Sequence, residues 1–100
     1  MIVEHKSPYG ETYRLSVQMS KYGNGQNAIK LFDMADGFPY ATASICVSDS
    51  LLKEDEIAIK DYSENAGILD SLINAGVIEE PHAYIQSDYV KIPICKLISK

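Results

Sequence analysis

Residues 60–80 read KDYSENAGILDSLINAGVIEE, and the fold turns on whether this stretch is a helix. Ile68, Leu69, Leu72 and Ile73 recur at the spacing of a helix with one apolar face, and Asn65 and Gly76 extend the same stripe. Two residues could cap its start: Asp61, with Glu64 three positions on as in a capping box, or Ser63. Gly76 fits the left-handed position after the last turn, with Val77 packing back on Leu72. The spacing predicts one main helix over 64–75. Gly67 stands out within it. A glycine inside a helix costs about 0.5–1 kcal/mol relative to alanine, so a close backbone approach or a surface kept open for a partner is expected there.

On the N-terminal side the period changes from helix to strand. Tyr13, Leu15, Val17 and Met19 alternate with Thr12, Arg14, Ser16 and Gln18, as in a strand with one buried face. SKYGNGQN, at 20–27, reads as a hairpin connection, and 28–34 as its weaker return strand. A turn at ADGFP leads to a third alternating run over 40–48. These three runs predict an antiparallel meander. Residues 2–5 add a possible short strand, and 56–60 another just before the helix. Residues 89–98 read as the last strand, where Pro93 marks an edge or a bulge because proline cannot donate to a ladder. The expectation is a single α+β domain over 1–100: an antiparallel sheet of five or six strands packed against one main helix.

Composition removes several classes of function. The formal net charge is −5, one arginine stands in the whole chain, and residues 51–100 hold nine acids against five lysines. Nucleic-acid binders carry a basic stripe for phosphates, so no direct nucleic acid partner is expected, and no anionic membrane surface either. No apolar run approaches the roughly 18 residues of a membrane span, and no signal peptide is visible, which points to the cytoplasm. Cys46 and Cys95 each follow an isoleucine in a strand-like run and read as two buried, reduced thiols, with a disulfide between neighbouring strands as the alternative that a cytoplasmic setting disfavours.

The chemistry-bearing residues are sparse. His5 and His82 have no ligand partner at a metal-binding spacing, and there is no phosphate loop, nucleophile elbow or Cys-x-x-Cys. No catalytic residue, metal or cofactor is expected, so the chain reads as a non-enzyme. The run Glu54-Asp55-Glu56 reads as a solvated acidic loop, too repulsive to be buried. Seven tyrosines and no tryptophan offer contact anchors. The candidate interaction residues are Tyr62, Glu64, Asn65 and Gly67 at the start of the helix, together with Glu54, Asp55 and Glu56.

PYAT at 39–42, IAIKDYSENAGILDSLINAGVI at 57–78 and VKIPICKL at 90–97 resemble a family of short uncharacterised proteins carried by phages, plasmids and integrative elements of bacteria. Its members show a P-Y-A strand, a K-D-Y-S-E-N-x-G start to the helix and a final P-h-C-x-L strand. The resemblance implies a mobile-element accessory protein and supplies no activity. By analogy with small acidic proteins of such elements, it implies a host protein partner whose complex is inhibited or modulated. A small-molecule binding module, with a pocket between helix and sheet near Gly67, is the alternative. A homodimer through an edge strand is also open, with the last strand as candidate.

Overall fold

The structure is a computed structural model describing residues 1–98. Four strands form a meander: β1 (Ile2–Lys6), β2 (Thr12–Lys21), β3 (Asn27–Asp33) and β4 (Pro39–Thr42), antiparallel and in sequence order. A second sheet holds β5 (Glu56–Ala58), β6 (Ala83–Ser87) and β7 (Val90–Lys96) in the order β5-β7-β6. One short helix, α1 (Ile68–Asn74), lies between β5 and β6 in the chain. The class is α+β as expected, but the strands number seven among the described residues and divide between two antiparallel sheets. The run read as one strand over 40–48 ends as β4 at Thr42, keeps one further bond to β3 from Ala43 N–H to Ile29 O at 2.9 Å, and meets Ile59 through an isolated bridge at Ser44. Ile45 N–H donates to Ala58 O at 3.0 Å and Lys60 N–H to Ala43 O at 2.8 Å. Two backbone hydrogen bonds stitch the sheets together there, and the Asn27 amide of β3 adds bonds to Glu54 O and Glu56 O.

The helix is shorter than its periodicity suggests. Ser63–Asn65 is a separate 3₁₀ turn, and Gly67, at φ 93°, is the left-handed residue before α1. Gly67 does not sit inside a helix and does not work against one. It turns the chain so that Asp61 Oδ1 accepts from the N–H groups of both Gly67 (3.1 Å) and Leu69 (3.0 Å). Asp61 is thus the cap, without a reciprocal bond from Glu64. At the other end the Schellman pattern is complete: Gly76 N–H bonds Ile73 O and Val77 N–H bonds Leu72 O, both at 3.0 Å, with Gly76 at φ 76°.

A Cβ at Gly67 would lie 3.7 Å from His5 Cε1 and from Lys6 O, ordinary contact distances. The dihedral, not space, is what demands glycine. Gly67→Ala is expected to cost about 1–2 kcal/mol through left-handed strain, read as a lower denaturation midpoint. Gly23→Ala has open space and no positive φ and should stay within about 0.5 kcal/mol of wild type. Equal effects of the two substitutions would contradict this account.

The main core joins both sheets and the helix. Val3, Leu15, Ile29, Leu31, Ile57, Ile59, Ile68, Leu72, Ile78 and Cys95 are all essentially inaccessible. Ala58, Ile92 and Ile94 point to the opposite face of the second sheet, where Ile45, Val47, Leu52, Ile85 and Val90 cover them. A sheet apolar on both faces is why β7 reads as a continuous hydrophobic run. It is also the central strand, not an edge. Pro93 is tolerated there because its missing N–H falls beyond the end of β5: Pro93 O still accepts from Ile59 N at 3.0 Å.

Candidate functional site

An open cleft of about 460 Å³ lies where the two sheets part. One wall is the β4 strand and its continuation, with Tyr40, Thr42, Ser44 and Cys46; the other is the 60–65 segment, with Lys60, Tyr62, Glu64 and Asn65; Tyr22 closes one end. Each wall is fixed by side-chain-to-backbone bonds. Asn65 is 2% exposed, and its amide donates to Thr42 O at 2.8 Å, pinning the 3₁₀ turn to the end of β4. Tyr22 and Ser44 hydroxyls lie 2.9 Å apart, and Ser44 Oγ accepts from Ile29 N at 3.0 Å. Gln26, at the end of the β2–β3 hairpin, clasps the loop beyond: its amide donates to Ser48 O and accepts from Val47 N. The polar atoms that line the base are thus committed to structure, and what faces outward is largely aromatic.

Tyr40 packs against Tyr13 with the rings tilted by 50° and centroids 4.7 Å apart, and meets the buried His5 ring edge-on at 5.9 Å. Burial, then the nearby Glu11 and Asp33, raise the Tyr40 phenol above its ordinary pKa, so it remains a neutral hydroxyl. Across the cleft, Lys60 Nζ and Glu64 Oε1 form an i,i+4 ion pair at 2.7 Å, and Lys60 lies 5.6 Å from the Tyr62 ring centroid. The hydrogen bond between them raises the lysine and lowers the carboxyl, so both are charged at neutral pH. The pair is exposed and worth little to stability; it presents a cation and an anion side by side for a partner.

Of the residues singled out from sequence, Tyr62, Glu64 and Asn65 meet in this cleft. Gly67 does not line it and acts by turning the chain into α1. None of the described clefts is lined by Gly67, and the His5 ring lies against it, with Cε1 3.7 Å from where a Cβ would stand. The acidic run is elsewhere and divided. Glu54 and Asp55 are exposed in a turn, but Glu56 is 8% exposed, which corrects the expectation of a fully solvated loop. Its burial is possible because both oxygens are satisfied: Oε1 accepts from Lys53 N at 2.7 Å and Oε2 lies 2.5 Å from His82 Nε2. The Lys53 N–H bond leads in holding the Glu56 carboxyl below its ordinary pKa, against the opposing effect of burial, and His82 adds to it. Tyr22, Tyr40, Lys60 and Cys46 were absent from the candidate interaction residues; the tyrosine excess was a signal for the first two, and Tyr40 and Lys60 also lie in the segments that carry the resemblance.

The cysteines differ. Cys95 is buried as expected, and burial pushes its thiol up to about 11. Cys46 is exposed on the cleft, not buried; both are free thiols. Among the described residues no group of three or more His, Cys, Asp or Glu is placed to hold a metal ion, and no helix is long and apolar enough to cross a membrane. No family model, no curated protein and no solved structure matches the chain.

Proposed function

We propose that this chain is a non-enzymatic accessory protein of a phage or other mobile element, acting in the host cytoplasm. In this reading it binds a host protein through the tyrosine-lined cleft and inhibits or modulates the complex to which that protein belongs. The supporting observation is the convergence of Tyr22, Tyr40 and Tyr62, from three separate segments, on one open cleft beside a Lys60–Glu64 pair. Tyrosine gives large contact area with a polar tip at low entropic cost, which suits a protein interface. Two of the segments that carry the resemblance to mobile-element proteins, 39–42 and 60–65, supply the two walls.

Affinity capture from host lysate, with variants as controls, tests it. Tyr62→Ser should reduce retention of the captured host protein by roughly 30-fold or more, the effect of losing a central aromatic anchor. Tyr89→Ser, at a fully exposed tyrosine that does not line the cleft, should retain it. No specific capture, or equal retention by both variants, rejects the proposal. The competing small-molecule reading draws on the cleft volume, which lies in the range of about 300–1,000 Å³ for ligand pockets. A flat thermal-shift response to nucleotides and metabolites would remove it.

A further inference from the structure

The free edge of the second sheet is β6, Ala83–Ser87, and the hydrogen-bond pattern of β7 tells which of its groups face outward. Pro93 O and Leu97 N bond toward β5, whereas Ile94 O and Lys96 O accept from His82 N and Glu79 N on the β6 side. Ile92 and Ile94 therefore make the hydrogen-bonded pairs with Ile85 and Ala83. It follows that the N–H and C=O groups of Tyr84 and Gln86 point away from the sheet. The strand reads AYIQS. It has no charge and no proline, so the usual devices that keep an edge from pairing are missing from it.

We infer that β6 pairs with β6 of a second copy, antiparallel, about a twofold axis at Ile85. In that register Tyr84 of each copy faces Gln86 of the other, and all four outward groups on each copy are used. Ile85 meets Ile85 as a non-hydrogen-bonded pair, extending the apolar face of Ile92 and Ile94 across the junction. The strand is also compatible with self-association in charge. A chain of net charge −5 repels its own copy, but this edge carries no charge, and the antiparallel register holds the two Asp88 turns at opposite ends. Each Asp88 then lies alongside the strand end at His82 of the other copy, and the fully exposed Tyr89 alongside Pro81. Tyr84, 58% exposed, is partly covered by the same contact.

An edge of five residues is short beside a standard interface, so the dimer should be weak, with a dissociation constant of about 10–1,000 µM. Sedimentation velocity of the full chain over that range should show a coefficient rising with concentration. Tyr84→Pro removes an outward donor without touching the β6–β7 ladder and should abolish the rise. If that variant fails to fold, cross-linking decides. On a Cys46→Ser background, Ile85→Cys should oxidise readily to a disulfide-linked dimer, because a non-hydrogen-bonded antiparallel pair suits disulfide geometry. Ser87→Cys, which faces Ala83 in this register, should not. A wild-type monomer at every concentration overturns the inference, as does dimerisation unchanged in Tyr84→Pro or equal cross-linking of the two cysteine variants. An edge that takes up only a foreign peptide strand would appear as the first of these outcomes.

Discussion

Leu72→Ala is expected to destabilise the protein by about 3–4 kcal/mol, within the range of about 2–5 for leucine truncations in closed cores. Leu72 is fully buried and belongs to the cluster in which both sheets and α1 meet. It also supplies the carbonyl that Val77 N–H caps, so the helix end and the core share one residue. The cluster draws on strands of both sheets as well as on α1. A domain of this size has a total stability of about 5–15 kcal/mol, and each kcal/mol moves its Tm by about 4–8 °C. A fall of roughly 12–30 °C should follow. Leu69→Ala, at a half-buried position on the same helix, should cost clearly less. Thermal and urea denaturation of the two variants provide the check. A loss below about 1 kcal/mol at Leu72 would mean that the helix does not anchor the core.

The second large effect is in pH. His5 is inaccessible to solvent, its Nδ1 lies 2.8 Å from Ser71 Oγ, and its Nε2 has no hydrogen-bond partner. Burial lowers its pKa below the ordinary 6.5, only partly opposed by the charge of Asp61. The unfolded chain therefore binds a proton at a pH where the folded chain does not. Above pH 6.5 His5 is neutral in both states and adds no pH dependence. As pH falls below that value stability declines, by up to about 1.4 kcal/mol per unit, until the folded-state pKa is reached. Glu56 contributes a separate window. Its carboxyl is held below 4.5, so the stability it confers is present above that value and is lost as pH falls further. Urea midpoints at pH 7.5, 6.5 and 5.5 resolve the first window. His5→Phe should be less stable at pH 7.5 but should have a flatter profile between 6.5 and 5.5. An unchanged slope in that variant would remove His5 as its source.

Much of the meander was legible because a half-buried antiparallel strand must alternate, and 12–19 does so without a break. The helix C-terminus was equally legible, since Gly76 and Val77 are what a Schellman stop requires. The helix start was not. Asn65 keeps the spacing of the apolar stripe, yet it is buried by a 3₁₀ turn on the far side of a left-handed glycine. Periodicity cannot distinguish these two routes to the same face. β6 escaped notice because an edge strand exposed on most of its length has little alternation to display. Glu56 escaped because a like-charge run was read as a block, whereas one backbone N–H and a histidine 26 residues away single out one member. The cleft joins residues from 22 to 65, brought together by the bridge between sheets and by the Asn65–Thr42 and Tyr22–Ser44 bonds, none of which has a local signal.

That bridge gives the cleft an unusual mechanical position. Tyr22, Tyr40 and Thr42 move with the four-stranded meander, whose pairings are local in sequence. Lys60 follows directly from β5 and moves with the sheet that is closed by β7, a strand more than thirty residues away along the chain. Between the two runs a seam of two backbone hydrogen bonds. Beneath that seam both sheets share one buried core, which sets the spacing of the two walls. A partner seated in the cleft would grip both jaws of a caliper: it would stabilise the folded chain by mass action, and its affinity would depend on the spacing of the two sheets as well as on the groups each presents.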